Sequence, residues 1–562
     1  MIGNFMLFPA LVLIFSGFLS LFLRGNVRAA LLLGAPLFTL WMVWQISDGP
    51  QLSVPYLGYE LTLVYGSKLG RLFATVFSLM AFMGALFALN QRSKLELGAA
   101  FAYAGAAIGV ALCKDLLTLF VFWEVMAVAS TLVLVSNGAA ALKAALRYGL
   151  MHFLGGVILM AGIAGHVAQT GFISFEAMTL ERWPEMLMLA GILINAAAVP
   201  LGAWLPDAYP QASWSGMVFL SAFTTKTSVF VLIVAFPGEQ VLIWIGLFMV
   251  FHGIIWAILE NDMRRILAYS IINQVGFMLT GIGIGSEVAL NGAAAHAFTH
   301  IIYKALLLMS AGSVVYMTGK SRCSDLGGLF RTMPVTMVTG VIGALAISAF
   351  PFTSGFVSKS MVTQGAADAH LSGVWYLLVA ASAGVFLHAG IKFPWFVFFQ
   401  KDSGLRPSDP PMNMQVAMII GAVLCIFIGV MPQSLYAILP FYVDYVPYTF
   451  SHVVSQLQLL LFSGLAFFLM LGLLKRTETI TIDSDWLWRR LGLILANGTV
   501  RLVVRVAAPV RHAGVQAVQA LLWGLNKTHN EKGPLGRPAQ TGSIAFLMVL
   551  FLAIFIALRF YS

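Results

Sequence analysis

Charge is scarce in this chain. Only 10% of its 562 residues are Asp, Glu, Lys or Arg, against about 25% in an ordinary soluble domain, and 60% are hydrophobic. So few charges cannot clothe a water-facing surface of that size, which excludes a soluble globular fold. Cysteine is scarcer still. Cys113, Cys323 and Cys425 lie far apart, with no C-x-x-C or Cys/His ligand spacing, so disulfide frameworks, iron–sulfur clusters and structural zinc are not expected, and the three read as small packing residues. No folded soluble segment carries a continuous basic patch, so the net charge of +10 does not point to nucleic acid.

What is present is apolar runs of membrane-spanning length. A bilayer-crossing helix needs roughly 20 mainly apolar residues, and such runs fill the chain from Phe5 to Leu474. They number about 15, with one more at the end, from Ser543 to Leu558. The first, Phe5 to Phe22, has no basic residue before it and no small-residue cleavage site after it, and reads as a retained helix. The basic joints Arg24/Arg28, Arg92/Lys94, Lys143/Arg147, Arg264/Arg265, Lys320/Arg322/Arg331 and Lys401/Arg406 fall on one side by the positive-inside rule. This predicts a multi-pass protein of the cell (inner) membrane with its N-terminus outside. The alternate joints, with Asp48/Glu60, Glu176/Glu181/Glu185, Glu239, Glu287 and Asp444, are neutral or acidic.

After Leu474 the character changes. Residues 484 to about 528 mix Trp486, Trp488 and aliphatics with Arg489, Arg490, Arg501, Arg505 and Arg511, the composition of an amphipathic helix lying along the cytoplasmic surface, kinked or split at Pro509. Within the bundle, Pro200, Pro206 and Pro210 interrupt VPLGAWLPDAYPQ, and Pro351 with Gly355 interrupts FPFTSGFVSK. Broken helices at membrane depth line cavities and transport sites in many carriers.

Those breaks gain weight from ionisable residues in apolar surroundings. A central Lys or Asp costs roughly 2.5 to 3.5 kcal/mol to insert, and such residues usually face a cavity, a partner or an ion path. Glu124 lies within LLTLFVFWEVMAVASTLVLV and Lys226 within FLSAFTTKTSVFVLIVAF. His296, His300 and Lys304, spaced by four in AAAHAFTHIIYKALLLM, share one helix face and stack over about 12 Å. Lys359 follows the break at Pro351, His388 and Lys392 form an i, i+4 pair in VFLHAGIKFPWF, and His152 sits in RYGLMHFLGGVILM. Each also has a structural reading. Glu124 is then a carboxylate pairing one lysine, Lys226 a snorkelling side chain, the histidines satisfied core residues, and Lys392 an interfacial anchor. The H-x-x-x-H spacing lacks the Glu of a catalytic zinc motif and a third ligand, so no metal is expected. Chains of Glu, His and Lys inside membranes are what proton relays require, and nothing suggests a larger organic substrate or a bound cofactor.

FWEVMA around Glu124, WLPDAYPQA at 204 to 212, the TTK of Lys226, ENDMRRILAYSIINQVGFML at 260 to 279, HAFTHIIYKALL at 296 to 307 and FPFTSGFVSK ending at Lys359 together resemble a known family. It is that of the proton-conducting antiporter-like subunits of Mrp-type sodium/proton antiporters, respiratory complex I and membrane-bound hydrogenases, with most similarity to the D-type member of the Mrp antiporters. The resemblance implies an all-α polytopic protein with a 14-helix core, two inverted five-helix repeats and broken helices, plus a lateral amphipathic helix and extra transmembrane helices at the C-terminus. It divides the chain into N-terminal helices (1–95), a first repeat (96–240), a second repeat (241–400), C-terminal core helices (401–474), a lateral segment and linker (475–540) and a terminal helix (541–562).

By the same resemblance Glu124 is the key glutamate, Lys226 the bridging lysine, His296, His300 and Lys304 the connecting row, and Lys359 the exit-side lysine. One position departs. The family carries a lysine five residues before the proline of the first broken helix, and here Asn195 stands there. Asparagine holds no proton charge, so Glu124 finds another partner, with His152 and Lys226 as candidates, or the first half-channel works differently or not at all. The expected function is that of a non-enzymatic transporter subunit, moving protons in exchange for sodium or another monovalent cation, with other membrane subunits as partners. A proton-pumping module of a redox complex and a membrane subunit of a proton-coupled inorganic-carbon uptake complex are the alternatives.

Overall fold

The computed structural model describes residues 8–474, 483, 484, 486, 488–530, 532–536 and 539–560. Among these, 14 helices are long and apolar enough to cross a membrane, and three shorter apolar helices accompany them. Two compact units form, Met1–Asp485 and Trp486–Ser562.

The first unit opens with α1 (Pro9–Ser20) and α2 (Gly25–Gln45). Phe5 to Leu7, the start of the expected first run, lie outside the described residues. An antiparallel hairpin, β1 (Gly49–Tyr56) and β2 (Tyr59–Gly66), then precedes α3 (Lys68–Phe87). The stretch reads as a plain joint in the sequence, although YELTL alternates in the manner of a half-buried strand.

An internal parallel follows. The first series is α4 (Lys94–Leu112), α5 (Leu116–Val135), α6 (Ala139–Thr170), a broken crossing of α7 (Trp183–Asn195) and α8 (Trp204–Ala208), and a crossing of α9 (Gly216–Ala222) and α10 (Thr224–Ala235). The second is α11 (Val241–Leu259), α12 (Met263–Ile284), α13 (Glu287–Thr318), a broken crossing of α14 (Pro334–Ile347) and α15 (Ser354–Asp368), and α16 (Ser372–Val385) continued by π-helical turns at Phe386–Lys392 and Trp395–Phe399. In each series the third helix has 32 residues and the fourth crossing is broken. The local chemistry repeats as well. Asp115 caps α5 through the Thr118 N–H at 2.7 Å and bridges to Ser174, while Asp262 caps α12 through the Arg264 and Arg265 N–H groups and bridges to Arg322. Five crossings per series place these matching corners on opposite membrane faces, so the repeats are inverted. The unit continues with α17 (Met412–Val430), the short α18 (Gln433–Tyr436) and α19 (Phe450–Leu469).

The centre is built from the least lipid-exposed helices. The most apolar stretch of α12 is 100% buried and that of α9–α10 94%, against 17% for α19. α11 and α12 meet backbone to backbone. A Cβ on Gly253 would stand 2.7 Å from the Tyr269 carbonyl oxygen, and one on Gly276 2.5 Å from that of Gly246. Small residues permit the close approach that drives helix association where no hydrophobic effect operates.

In the second unit the helix Leu493–His529 runs through Pro509 as one element, so the expected split does not occur. Proline frees only the carbonyl four residues earlier, and the helix on either side is long enough to carry that loss. Thr541–Phe560 forms the terminal apolar helix.

Candidate functional site

Three interruptions in the crossings organise the polar interior. At the first, α7 stops at Asn195 and the chain is irregular to Pro200, with Ala197 at φ +59°. The Trp204 indole N–H donates to the Ile194 carbonyl at 2.9 Å, beside the Ala197 N–H at 3.1 Å. Pro206 is not part of this break. It falls in the first turn of α8, where a missing N–H costs no helical hydrogen bond. The second interruption, between α14 and α15, contains Pro351 with Ala349 and Phe352 at positive φ, and Gln456 Nε2 donates to the Ser348 carbonyl at 3.3 Å. The third carries no mark in the sequence. The run containing Lys226 breaks at Phe223, between α9 and α10, and Lys226 Nζ donates to the freed Ser221 carbonyl at 2.7 Å and to Thr225 Oγ1 at 3.0 Å. Neither proline nor glycine stands at that position.

Lys226 is fully buried and forms no hydrogen bond or ion pair with Glu124. Glu124 instead packs against bare backbone, since a Cβ on Gly156 of α6 would stand 1.8 Å from its Oε1, and that oxygen has no protein partner. His152, one turn before Gly156, donates from Nδ1 to Asn195 Oδ1 at 2.7 Å. Asn195 therefore does not pair with the glutamate. Arg147 and Asp207 form a bidentate pair nearby at 2.7 and 2.9 Å.

The row on α13 is joined by groups that the sequence does not single out. His296 Nε2 donates to Gln274 Oε1 at 3.0 Å, and that oxygen also accepts the Tyr303 hydroxyl at 3.1 Å. On its other side His296 Nδ1 meets Ser358 Oγ at 3.2 Å, and Ser358 meets Thr299 Oγ1 at 2.7 Å. Ser358 immediately precedes Lys359, whose ammonium lies 4.4 Å above the Phe277 ring and has no hydrogen-bond partner in the protein. Lys304 Nζ donates to Ser270 Oγ at 2.8 Å. His300 stands between, its ring 6.2 Å from that of His296 and 5.2 Å from Tyr303, with neither nitrogen partnered by protein. Among the described residues none of Lys226, Lys304, Lys359 or Lys392 forms an ion pair. Gln274 is visible as a polar residue inside an apolar run, but only α12 packing on α13 turns it toward His296.

Beyond Lys359 a cavity of about 670 Å³ opens between α15 and α19, lined by Lys359, Ser360, Thr363, Gln364, His452 and Gln456 among others. Its size and its Lys, Ser, Thr, Gln and His side chains admit water.

His388 and Lys392 stand four residues apart on the π-helical turn Phe386–Lys392 and take different hydrogen-bond partners. His388 Nδ1 donates to the Gly384 carbonyl at 2.9 Å. Lys392 Nζ reaches the end of α11 and donates to the carbonyls of Ala257, Ile258 and Glu260 at 3.2, 2.5 and 2.5 Å.

Three further buried clusters lie off this row. Glu96, fully buried, accepts from Ser213 and Ser215 at 2.8 and 2.5 Å. Glu185, which the sequence placed in an open joint, is buried and held by His166 and Arg182 at 2.7 and 2.8 Å. Asp483 accepts from His252 Nε2 at 3.2 Å and the Tyr269 hydroxyl at 2.8 Å, while Ser484 donates to the Pro200 carbonyl at 2.8 Å. No three His, Cys, Asp or Glu residues cluster as metal ligands among the described residues.

Inverted repeats with broken fourth crossings, enclosing a row of lysines and histidines, define an antiporter-like membrane fold. Residues 113–387 match the family model described as NADH:quinone oxidoreductase/Mrp antiporter, transmembrane. The chain is similar to the N subunit of the NADH-quinone oxidoreductase of Desulforudis audaxviator, 32% identical over 48% of this chain and 57% of that protein. It is equally similar to the D subunit of the Na(+)/H(+) antiporter of Alkalihalophilus pseudofirmus, 32% identical over 45% and 55%. The matches thus span little more than half of these two relatives' own lengths. In fold it matches a chain of the membrane-bound sulfane sulfur reductase, an archaeal respiratory membrane complex, with a TM-score of 0.72 at 22% identity over 98% of this chain and 99% of that one.

Proposed function

We propose that the chain is the proton-translocating subunit of a multisubunit antiporter of the cell (inner) membrane, exchanging protons for sodium or another monovalent cation that crosses elsewhere in the assembly. The observation that carries this reading is the run of polar groups from Lys226 past His300 and Lys304 to His296, Ser358 and Lys359, ending at the cavity beside Lys359. Bulky apolar side chains would fill such an interior if its role were only to support neighbours.

Residues 96–240 and 241–400 act as two half-channels in this reading, with the N-terminus on the outer face. The row contains no carboxylate, so its cations repel one another and are costly to hold together in low dielectric. A proton arriving at Lys226 therefore favours release further along, and His296 can pass a hydrogen between its two nitrogens while Gln274 and Ser358 fix the ring. His300, unpartnered, is bridged through internal water. Lys359 delivers the proton to the cavity. The work is vectorial transfer between fixed groups, with no covalent chemistry in this subunit.

Lys226→Ala tests the reading. In vesicles reconstituted with the purified assembly, proton flux is expected to disappear while assembly is unchanged, since Ser221 and Thr225 lie at a break that water can hydrate. Retained proton-coupled transport would remove Lys226 from the path. The companions that copurify distinguish a cation antiporter from a redox-driven or carbon-uptake complex.

A further inference from the structure

We infer that His152 is the titratable partner of Glu124 in the first repeat, standing in for the lysine that Asn195 replaces. This deepens the reading of the chain as a proton-translocating subunit and rests on it. Gly155 and Gly156 lie side by side on α6, and a Cβ on the first would stand 3.3 Å from Asn195 Oδ1, on the second 1.8 Å from Glu124 Oε1. Only bare backbone separates the amide from the carboxylate. His152 precedes Gly156 by four residues and so shares its helix face.

The imidazole is held on all sides. Its ring centroid lies 4.1 Å from that of Tyr148 and 4.5 Å from that of Trp204. An amide oxygen only accepts hydrogen bonds, so the 2.7 Å contact to Asn195 Oδ1 places a hydrogen on Nδ1 and leaves Nε2 as the atom that gains or loses a proton. His152 Nε2, Asn195 Nδ2, Tyr148 Oη and Glu124 Oε1 are all buried without a protein partner. An unmet buried polar group costs roughly 1 to 3 kcal/mol, and the imidazole, the amide and the carboxylate, three such groups gathered about α6, are the setting in which a bound water makes its two to four hydrogen bonds. Such a water joins Nε2 to the carboxylate.

The charges that face this site leave the pair to itself. From α5 there is Glu124, from α6 Tyr148, from α7 Asn195 and from α8 Trp204, with Tyr209 behind Tyr148 at 6.3 Å between ring centroids. Arg147, next to Tyr148 on α6, and Asp207 on α8 offset one another in their bidentate pair. Lys226, the other candidate, is turned to Ser221 and Thr225. Asn195 is thus the residue that positions the imidazole, and the cation of the first repeat has moved from α7 to α6.

The experiment uses the purified, reconstituted complex and compares wild type, His152→Gln, Asn195→Lys and the double variant across pH. Glutamine keeps a donor toward Asn195 but carries no proton charge. His152→Gln is expected to lower proton flux about tenfold and flatten its pH profile. Adding Asn195→Lys in that background should restore both, because a lysine then stands beside Glu124. Asn195→Lys alone should displace the pH profile, a readout that needs no loss of folding. Wild-type flux and pH profile in His152→Gln would overturn the inference, as would an assembled double variant with no recovery. A wild-type complex that carries no proton flux at all would remove the underlying reading and this inference with it.

Discussion

Replacing Lys392 separates a structural cation from a conducting one. Its ammonium, 3% exposed, meets three carbonyls that lie at or just past the last turn of α11, where the helix has no N–H of its own to offer them. Positive charge there also faces the negative end of the helix dipole. A hydrogen bond to a charged group contributes about 1.5 to 3 kcal/mol, and stripping the donor leaves the carbonyls unmet. Water at the helix end recovers part of that, so Lys392→Met should destabilise the protein by about 1 to 3 kcal/mol, the cost of leaving a buried acceptor unmet. Lys392→Arg retains a cation with several donors and should cost about 1 kcal/mol. Thermal unfolding of the purified complex, followed by loss of the intact assembly, ranks the three proteins. Proton flux then decides the role, because arginine does not deprotonate in proteins. A cap survives the arginine substitution with flux within about twofold of wild type. A stable, assembled Lys392→Arg complex that conducts no protons would refute the capping role and place Lys392 in the relay.

Three other outcomes follow from the geometry. Gly156→Ala drives a methyl group into Glu124 Oε1, so the carboxylate must swing away. Proton flux should fall while the complex still assembles, and unchanged flux in an assembled variant would show that the position of Glu124 is immaterial. Gln274→Leu removes the oxygen shared by His296 and Tyr303 and leaves two buried donors unmet, a loss of about 1 to 3 kcal/mol for each; thermal unfolding indistinguishable from wild type would contradict that contact. Burial alone would raise the carboxyl of Asp483, but hydrogen bonds from His252, the Ser484 N–H and Tyr269 outweigh it and hold the group below its ordinary value. Its seat therefore contributes stability that is complete above the ordinary carboxylate range and is lost as pH falls through the lowered value. Deuterium exchange at residues 483 and 484 should rise at acid pH and already at neutral pH in Asp483→Asn; exchange independent of both would refute the seat.

The sequence by itself determined the membrane class, most of the helices and the burial of Lys226, His296, His300, Lys304 and Lys359, while Glu96 and Glu185 gave no sign of theirs. Apolar runs of bilayer length leave no soluble alternative, and a lysine such as Lys226 in FLSAFTTKTSVFVLIVAF stands out because its surroundings contain nothing else that is charged. Proline also located two of the three interrupted crossings, at Pro200 and Pro351. The third, at Phe223, was hidden because no residue type there forbids a helix; it is the packing of α9 and α10 among buried neighbours that breaks it. Partners were hidden for a related reason. His152 meets Asn195 from 43 residues away, His296 lies between Gln274 and Ser358, and Lys392 reaches a helix end more than a hundred residues earlier. Periodicity reports which residues share a face of one helix, whereas hydrogen bonds form between faces of different helices, and only the assembled bundle decides which of them meet.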